Sequence, residues 1–352
     1  MEWYTDGCDL YPADNSNSVP VVLSSSEEYL PYTCVAIHSL LRNGSPEYFY
    51  DIILLHCDKF NLESIEMINK IIIKWQNCSL RFLKINNNKY YINGHISNET
   101  YARLMLPSLL INYDKVIYLD SDLIVRKDIS ELFYRKVKYD TMVSGVQDFD
   151  VIGQYNGREY SMKYYLDCIL KIKYPYNYLQ AGVLCFYLKS IRRKVGLYKL
   201  SEVALESRLR YFDQDVINLV CNENIEILDC RWNVVTDCDN YRVSNIIKYA
   251  PLDMYDMYMS SRKDPWIVHY SGYKKPWNNK YEDMSEYFHD EVKLANLQKF
   301  IYIQELDNLI SNPLSIKSII KKIFLRIIPR KSFARELIKT CYFYFNYKVT
   351  KG

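Results

Sequence analysis

The chain has 352 residues, 49% of them hydrophobic and 25% charged, with a net charge of +3, a composition that argues against disorder and suits a folded core. Its ten cysteines are scattered with no Cys-x-x-Cys pair, which indicates a reducing compartment rather than a disulfide framework. We expect no signal peptide and no spanning helix, because no segment has the signal-peptide pattern or the roughly 20 apolar residues that a membrane span needs.

Strand and helix patterns alternate through the first 120 residues. Short apolar runs predict strands at 19–23, 51–55, 80–83 and 115–119. Apolar residues at helical spacing predict helices at 29–41, 62–75 and 99–110. This rhythm predicts an α/β fold whose central sheet is mostly parallel and flanked by helices. Open sheets of this kind bind ligands outside the carboxyl ends of their strands.

The pattern is less regular after residue 120. Apolar runs predict strands at 139–146, 182–188 and 267–270. Helical spacing predicts helices at 191–208, 214–220 and 284–309. Residues 237–263 show no clear period and are predicted to form a long loop.

Two aspartates, Asp120 and Asp122, follow the strand predicted at 115–119. Side chains two residues apart in an extended chain point to the same side, so the two carboxylates can converge at the strand's carboxyl end. Mg²⁺ or Mn²⁺ would relieve their repulsion and would also take phosphate oxygens as ligands. A solvated turn and the aspartyl nucleophile of a haloacid-dehalogenase-type phosphatase are the alternative interpretations, although that phosphatase pattern usually has Thr where Ile124 stands.

A second group of chemically capable residues lies in and after the strand predicted at 267–270. His269 is a potential metal ligand, Gly272 allows the backbone to approach a phosphate, and Lys275 supplies a mobile positive charge suited to a diphosphate. A lone histidine is more often a hydrogen-bonded structural residue, and that interpretation stays open. The three residue types within seven positions favour a site for a metal ion and an anion.

Taken together, these segments resemble the family 8 glycosyltransferases, which include bacterial lipopolysaccharide galactosyl- and glucosyltransferases and glycogenin. The likeness runs from Val19 to Trp277 and keeps the order of the family's motifs. The matching segments are Val21 to Ser26 with Tyr29, Tyr101-Ala102-Arg103, Asp120-Ser121-Asp122, Ala181-Gly182-Val183, Phe212-Asp213-Gln214-Asp215 and His269 to Trp277. The resemblance implies a GT-A fold, which we assign to residues 1–310.

The resemblance also implies roles for individual residues. Asp120, Asp122 and His269 would bind Mn²⁺ or Mg²⁺. The residues implied to contact a UDP-sugar donor are Ser24, Ser26, Tyr29, Arg103, Asp120, Ser121, Gln180, Ala181, Gly272 and Lys275. Asp148, which follows the strand predicted at 139–146, is predicted to line the acceptor side.

The chemistry implied by the resemblance is transfer of a hexose with retention of the donor's α configuration. Gln214 matches the family's residue beneath the anomeric carbon, and an amide is a poor nucleophile. We therefore favour front-face transfer, in which the leaving phosphate oxygen accepts the proton of the acceptor hydroxyl. Asp213 and Asp215 are the alternatives for a covalent route, although Asp213 is better suited to orient donor hydroxyls or Arg103.

Two positions depart from the family's pattern. The family usually has Asp where Ser26 stands, to accept a hydrogen bond from uracil, and Glu27 or Glu28 are candidates to replace it. It usually has Asn where Gln180 stands, and the extra methylene shifts an amide that contacts donor hydroxyls. The nucleotide preference and the accepted hexose therefore depend on these positions.

The C-terminal segment 311–352 differs in charge from the rest of the chain. It has ten Lys and Arg residues and one acidic residue, Glu336, for a net charge of +9, whereas the remaining 35 basic and 41 acidic residues give −6. Apolar residues at helical spacing from Leu314 to Ile328, flanked by basic ones, predict a helix on an anionic membrane surface. Packing of this helix on the catalytic domain is the alternative. Nucleic acid is not expected as a partner, because phosphates would repel the −6 body.

We therefore expect a peripheral protein on the cytoplasmic face of a membrane that moves galactose or glucose from a UDP-sugar to a glycan or glycolipid. Lipopolysaccharide or polysaccharide synthesis is the expected setting. A non-catalytic nucleotide- or carbohydrate-binding protein on the same fold is the alternative from another class. Metal-dependent turnover of the donor distinguishes the two, since a binding protein would leave the UDP-sugar intact.

Overall fold

The computed structural model describes residues 2–4, 10–13, 17–57, 60–85, 98–157, 161–206 and 209–311. The chain divides into two compact units, residues 1–298 and residues 299–352. Apart from Ser311, the predicted membrane-binding segment lies outside the described residues. Among the helices described, none has both the length and the apolar character needed to cross a membrane.

Eleven strands occur in the described part of the first unit and form two sheets. They are β1 (Glu2–Tyr4), β2 (Ser18–Ser24), β3 (Phe49–His56), β4 (Cys78–Lys84), β5 (Val116–Leu119), β6 (Leu123–Val125), β7 (Val143–Gln147), β8 (Leu179–Phe186), β9 (Ile225–Ile227), β10 (Val234–Val235) and β11 (Ile267–His269). The larger sheet has the order β1-β4-β3-β2-β5-β8-β7-β9, and the smaller one β10-β11-β6. In the larger sheet β8 is antiparallel to β5 and β7, and the other neighbours are parallel. The predicted α/β fold with a mostly parallel sheet is confirmed.

Thirteen α-helices lie in the described residues, joined by several short 3₁₀ turns. They are α1 (Leu30–Asn43), α2 (Leu62–Ile72), α3 (Leu106–Leu109), α4 (Ser130–Phe133), α5 (Phe149–Asn156), α6 (Ser161–Tyr164), α7 (Leu188–Val195), α8 (Lys199–Glu206), α9 (Phe212–Cys221), α10 (Arg242–Asn245), α11 (Leu252–Ser261), α12 (Ser285–Ala295) and α13 (Gln298–Ser311). The helices predicted at 29–41, 62–75 and 214–220 correspond to α1, α2 and α9. Helix α2 begins where the Asn61 side chain accepts a hydrogen bond from the Ser64 N–H at 2.9 Å.

Three predicted helices are interrupted in the structure. One is interrupted at a proline, and the other two at residues whose φ is positive and therefore not helical. The helix predicted at 99–110 is a 3₁₀ segment (Asn98–Met105) followed by α3, because Pro107 has no backbone N–H to continue the hydrogen-bond ladder. The helix predicted at 191–208 breaks at Gly196, whose φ is 93°, into α7 and α8. The helix predicted at 284–309 is likewise divided, because α12 ends at Ala295 and the next residue, Asn296, has a φ of 60°.

The loop predicted at 237–263 is wrong at the single-turn helix α10 and, over a longer stretch, at α11. Only Met254, Tyr258 and Ser261 of this helix are buried, so its apolar face is narrow and the tyrosine and methionine residues around it hide the period. The sequence patterns also do not predict β6 or α5. Both are short, and each follows directly after an aspartate of the candidate site, Asp122 or Asp148.

Parallel pairing places the carboxyl ends of the central strands at one edge of the larger sheet. Leu23 of β2 is in register with Leu119 of β5, so Ser24 and Asp120 leave the sheet side by side. All four residues of β5 and five of the seven in β2 are buried. The hydrophobic core therefore holds the polar residues at this edge in fixed positions.

Candidate active site

The Asp120-Ser121-Asp122 segment is held on both sides by backbone hydrogen bonds. The Asp120 N–H donates to the Gly182 carbonyl on β8 at 2.8 Å, and the Asp122 carbonyl accepts from the Tyr270 N–H at 2.9 Å. Beyond Asp122 the chain continues as β6, whose first residue pairs with His269 of β11. The smaller sheet thus places His269 beside the carboxylate pair, although they are far apart in sequence.

The two carboxylates and the imidazole converge as a metal site requires. The His269 Nε2 atom lies 3.3 Å from Asp122 Oδ1 and 3.7 Å from Asp120 Oδ2. One ligand atom from each residue lies within 4.8 Å of the others. Two carboxylate oxygens and an imidazole nitrogen form a donor set that suits Mn²⁺ or Mg²⁺, so the residues present fit the implied ion. We call these three residues the metal corner.

Lys275 provides a positive charge at the metal corner. Its ammonium donates to Asp122 Oδ2 and also to the Tyr270 carbonyl, the latter at 2.7 Å. Burial alone would raise the pKa of Asp122, but Lys275 and His269 hold it well below its usual range. Asp122 is therefore ionised at neutral pH, as a metal ligand must be.

Arg103 connects the metal corner to the start of α9. Its guanidinium donates to the Ala181 carbonyl at 2.6 Å and to Asp120 Oδ1 at 2.7 Å, and its Nε lies 2.9 Å from Asp213 Oδ2. The side chain is buried and stacks on the Tyr118 ring at 4.4 Å. Asp213 thus pairs with Arg103, as its predicted role in orienting that side chain requires. That role and the predicted contact of Arg103 with the donor stay predictions.

Gln214 is fixed at both ends of its carboxamide. Its Oε1 accepts from the Ala181 N–H at 3.0 Å, and its Nε2 donates to Asp148 Oδ2 at 2.8 Å. The other oxygen of Asp148 accepts from the Val151 N–H at 2.9 Å and so caps α5. The predicted acceptor-side residue, Asp148, and the predicted catalytic residue, Gln214, are therefore direct neighbours.

Asp213 and Asp215 have different surroundings, although both belong to the first turn of α9. Burial raises the pKa of Asp213 to about 6, against the lowering effect of Arg103. Asp215 is completely buried and accepts hydrogen bonds from the Tyr178 hydroxyl, the Tyr165 hydroxyl and the Tyr211 N–H. The structure therefore brings Asp213 to the metal corner and does not bring Asp215 there. A covalent role for either residue stays a prediction.

The residues predicted to bind the nucleotide lie at the same edge of the sheet. The Ser121 hydroxyl donates to the Ser24 carbonyl at 2.7 Å, and the Ser26 hydroxyl accepts from the Tyr29 N–H at 3.3 Å. The candidate substitute for uracil recognition, Glu27, accepts from the Ser64 hydroxyl at 2.6 Å, which ties it to α2. Glu28, the other glutamate named for that role, is exposed, and its part in uracil recognition stays a prediction.

Two glycines at the site disfavour a side chain, each for a different reason. A Cβ on Gly182 would lie 2.2 Å from His269 Cε1 and 2.8 Å from Asp120 Oδ2, inside the metal corner. Gly272 has a φ of 118°, which L side chains rarely adopt, and a Cβ there would lie 3.0 Å from Arg242 Nη2. Glycine is thus favoured at 182 by the close packing of the metal corner and at 272 by the backbone conformation.

Sequence patterns alone did not identify three further residues around the site. Asn233 contacts His269 Nδ1 at 2.9 Å. Arg242 pairs with Asp150 at 2.9 Å, and burial raises the pKa of Asp150 to about 7, although Arg242 opposes the rise. Their partners lie 36 and 92 residues away along the chain, and no local pattern links residues at such distances.

The strand order and the polar residues at this sheet edge match the GT-A fold of glycosyltransferases, and two solved structures share that fold. WbbM, a bifunctional glycosyltransferase solved in its apo form, is 26% identical with a TM-score of 0.74 over 86% of this chain and 54% of that one. The chain thus spans about half of WbbM. The galactosyltransferase LgtC, solved with donor and acceptor sugar analogues, is 23% identical with a TM-score of 0.63 over 78% of this chain and 96% of that one.

The chain belongs to glycosyl transferase family 8, whose family model matches residues 20–281. A relative named lipopolysaccharide 1,2-glucosyltransferase, from Escherichia coli, is 22% identical over 274 residues, which are 76% of this chain and 75% of that protein. The family resemblance read from the sequence is therefore confirmed, and with it the class of transferase.

Proposed function

We propose that the protein is a retaining hexosyltransferase that moves galactose or glucose from a UDP-sugar to a glycan acceptor with the help of Mn²⁺ or Mg²⁺. The observation that carries this proposal is the metal corner at the carboxyl edge of the sheet, where one ligand atom from each of three residues lies within 4.8 Å of the others. Lys275, bonded to Asp122, adds a cation at the same place. The metal corner suits a diphosphate, because Mn²⁺ and Mg²⁺ prefer oxygen ligands and can bind the carboxylates and the phosphate oxygens together.

The donor's leaving group would be held by this chain's cationic and backbone groups around the metal corner. A bound divalent ion would neutralise the phosphates of the departing nucleoside diphosphate and so stabilise it as a leaving group. Lys275 has a flexible stem and would turn from Asp122 toward a phosphate oxygen when the donor enters. The backbone at Gly272, which carries no Cβ, would allow the same oxygens to approach closely.

The proposed transfer takes place on one face of the sugar. The acceptor oxygen bonds to the anomeric carbon, the bond from that carbon to the β-phosphate oxygen breaks, and the hydroxyl proton passes to the departing phosphate oxygen. The transition state resembles an oxocarbenium ion. The hydrogen bonds of Gln214 support this route, because its Oε1 is already engaged by the Ala181 N–H and is a weakened nucleophile.

The acceptor is proposed to enter on the side of Asp148. That carboxylate is already ordered by the Val151 N–H and by Gln214 Nε2, so its remaining lone pairs can accept hydrogen bonds from a sugar hydroxyl. The relative named lipopolysaccharide 1,2-glucosyltransferase supports a glycan or glycolipid of the cell surface as the acceptor.

The test is turnover of a panel of nucleotide sugars by the purified protein, with Mn²⁺, with Mg²⁺ and with a chelator. We expect metal-dependent release of UDP from one UDP-hexose, faster when a glycan acceptor is present, and a product that retains the α configuration by NMR. Binding of UDP with no turnover of any donor would favour the binding-only alternative. Metal-dependent hydrolysis of simple phosphate esters, with no use of UDP-sugars, would favour the phosphatase.

We further propose that residues 311–352 bind the anionic cytoplasmic face of a membrane. The net charge of +9 supports this, since each Lys or Arg near such a surface contributes about 1 kcal/mol of attraction. Flotation of the full chain should show binding to vesicles that contain phosphatidylglycerol, weakened by salt and by the double substitution Lys321→Gln and Lys322→Gln. Equal binding to purely zwitterionic vesicles would contradict the proposal.

A further inference from the structure

The inference starts from the carboxamide of Gln180, which lies next to the metal corner. The Gly182 N–H points at one atom of this carboxamide, at 2.7 Å. A backbone N–H can only donate a hydrogen bond, so the atom it meets must be the oxygen, Oε1. The orientation of the Gln180 side chain is therefore determined by the backbone of β8.

The same oxygen determines the orientation of Asn233. Gln180 Oε1 has a second neighbour, the side-chain amide of Asn233, at 2.6 Å. Because Oε1 can only accept, Asn233 must present its Nδ2 to it, and its Oδ1 must point the other way. That Oδ1 lies 2.9 Å from His269 Nδ1.

The orientation of Asn233 in turn selects the tautomer of His269. An amide oxygen can only accept, so His269 Nδ1 must carry the hydrogen. In the neutral ring the lone pair is then on Nε2, the nitrogen that faces Asp120 and Asp122. Asn233 is 3% exposed and His269 1%. If Asn233 were replaced, water would therefore have little access to accept the hydrogen bond of His269 Nδ1–H in its place.

We infer that Asn233 is a positioning residue which, held by Gln180, fixes the Nδ1–H tautomer of His269 and so presents Nε2 to the metal ion. This inference rests on the proposed metal-dependent function and names the residues that prepare its histidine ligand. It also assigns Gln180 a role besides donor contact, since Oε1 serves this hydrogen-bond chain. Gln180 Nε2 has no hydrogen-bond partner among the residues that the structure describes, so this hydrogen-bond chain does not use it.

The test is the affinity for Mn²⁺ in the presence of saturating UDP, measured by the loss of the free-ion signal in electron paramagnetic resonance. Residues that orient a metal-binding histidine typically contribute about 10- to 100-fold to metal affinity. We therefore expect Asn233→Leu, which removes the acceptor at nearly constant size, to weaken Mn²⁺ binding by about that factor. Asn233→Asp keeps an acceptor for Nδ1–H but sets its second oxygen against Gln180 Oε1, so it should weaken Mn²⁺ binding less than Asn233→Leu does.

Asn222→Leu is the matched control. Asn222 is also buried, and its side chain bonds two groups, the N–H and the carbonyl of Tyr174, away from the metal corner. Its substitution should leave Mn²⁺ affinity unchanged in the folded fraction. If Asn233 had only a structural role, Asn233→Asp would harm the site as much as Asn233→Leu, because it buries a new charge.

The outcomes separate this inference from the proposed function. A wild-type protein that binds no Mn²⁺ with UDP would overturn the metal-dependent function itself. Wild-type binding together with unchanged affinity in Asn233→Leu would overturn only the role of Asn233. Should Asn233→Leu fail to fold, Gln180→Leu takes its place, since it frees Asn233 to turn its amide around. Unchanged Mn²⁺ affinity in that variant would equally overturn the inference.

Discussion

Two Asp-x-Asp sequences contribute to the candidate site, Asp120-Ser121-Asp122 after β5 and Asp213-Gln214-Asp215 in α9. In the first pair both carboxylates face the same corner, where His269 Nε2 lies 3.3 Å from one and 3.7 Å from the other. In the second pair Asp213 bonds Arg103 at the corner, whereas Asp215 bonds Tyr178 and Tyr165 and is completely buried. Equal spacing in sequence thus leads to opposite arrangements.

The backbone explains this difference. Residues i and i+2 of an extended segment point to the same side, whereas in a helix they are separated by about 200° of rotation. Their electrostatics differ accordingly. Lys275 and His269 more than offset the burial of Asp122 and lower its pKa, while burial dominates for Asp213 and Asp215 and raises theirs. Convergence beside Lys275 and His269 makes the first pair candidate metal ligands, whereas divergence makes the second pair one site residue and one structural residue.

The largest expected effect comes from Asp122→Asn, which removes one charge of the converging pair at constant shape. We expect UDP release to fall by about 1000-fold, equivalent to about 4 kcal/mol, because a ligand of the catalytic ion is lost. Steady-state kinetics at saturating Mn²⁺ measures this loss. Asp114→Asn, in an exposed ion pair with Lys189, is the matched control and should retain activity. Full activity of Asp122→Asn would contradict the proposed difference between the two pairs, since Asp120 and Asp122 would then bind no catalytic metal.

Gly182→Ala tests whether the convergence depends on an empty position on the neighbouring strand. The new methyl would lie 2.2 Å from His269 Cε1 and 2.8 Å from Asp120 Oδ2, so these ligands must move apart. We expect Mn²⁺ affinity to fall by about 100-fold and the free energy of unfolding by about 1–3 kcal/mol, the usual cost of overpacking. Calorimetry and thermal unfolding measure the two. Gly196→Ala is a partial control. Its φ of 93° disfavours alanine, so the variant should lose stability, but no atom lies within 4 Å of the added Cβ and the Mn²⁺ affinity should not change.

The raised pKa of Asp213, about 6, predicts a pH dependence of stability. Between its ordinary value near 4 and about 6 the folded state binds more protons than the unfolded state, so wild-type stability falls as the pH rises through this window. Asp213→Asn lacks this titration. The wild-type free energy of unfolding should therefore decrease relative to the variant by on the order of 2 kcal/mol from pH 4 to pH 7. Denaturant melts across that range measure it. A flat difference would show that Arg103 fully compensates the burial.

The smallest expected effect is that of Asp215→Asn. The amide can accept fewer of the hydrogen bonds from Tyr178, Tyr165 and the Tyr211 N–H, but it also removes a buried charge. We expect a loss of about 1 kcal/mol in the free energy of unfolding, and turnover per folded molecule within a few fold of wild type. Kinetics normalised to the folded fraction tests this. A loss of several orders of magnitude would instead support the covalent route through Asp215.

The sequence by itself determined the class of fold and the metal corner. Apolar runs and helical spacing are local properties, and they predicted β2 to β5 with the helices α1 and α2. Asp120 and Asp122 could be assigned because the period of an extended strand fixes their direction without any tertiary contact. The order of the family's motifs added His269 and Lys275, which no local pattern connects to the pair.

Only the tertiary structure decided how the remaining residues are used. Arg103 connects Asp120 with Asp213, Gln214 is shared between Ala181 and Asp148, and Asn233 reaches His269 from the 3₁₀ turn that precedes β10. These contacts depend on the pairing of β5 with β8 and of β10 with β11. The hydrophobic pattern of a strand fixes which of its faces is buried, but its partner among strands distant in sequence is set only when the whole core packs.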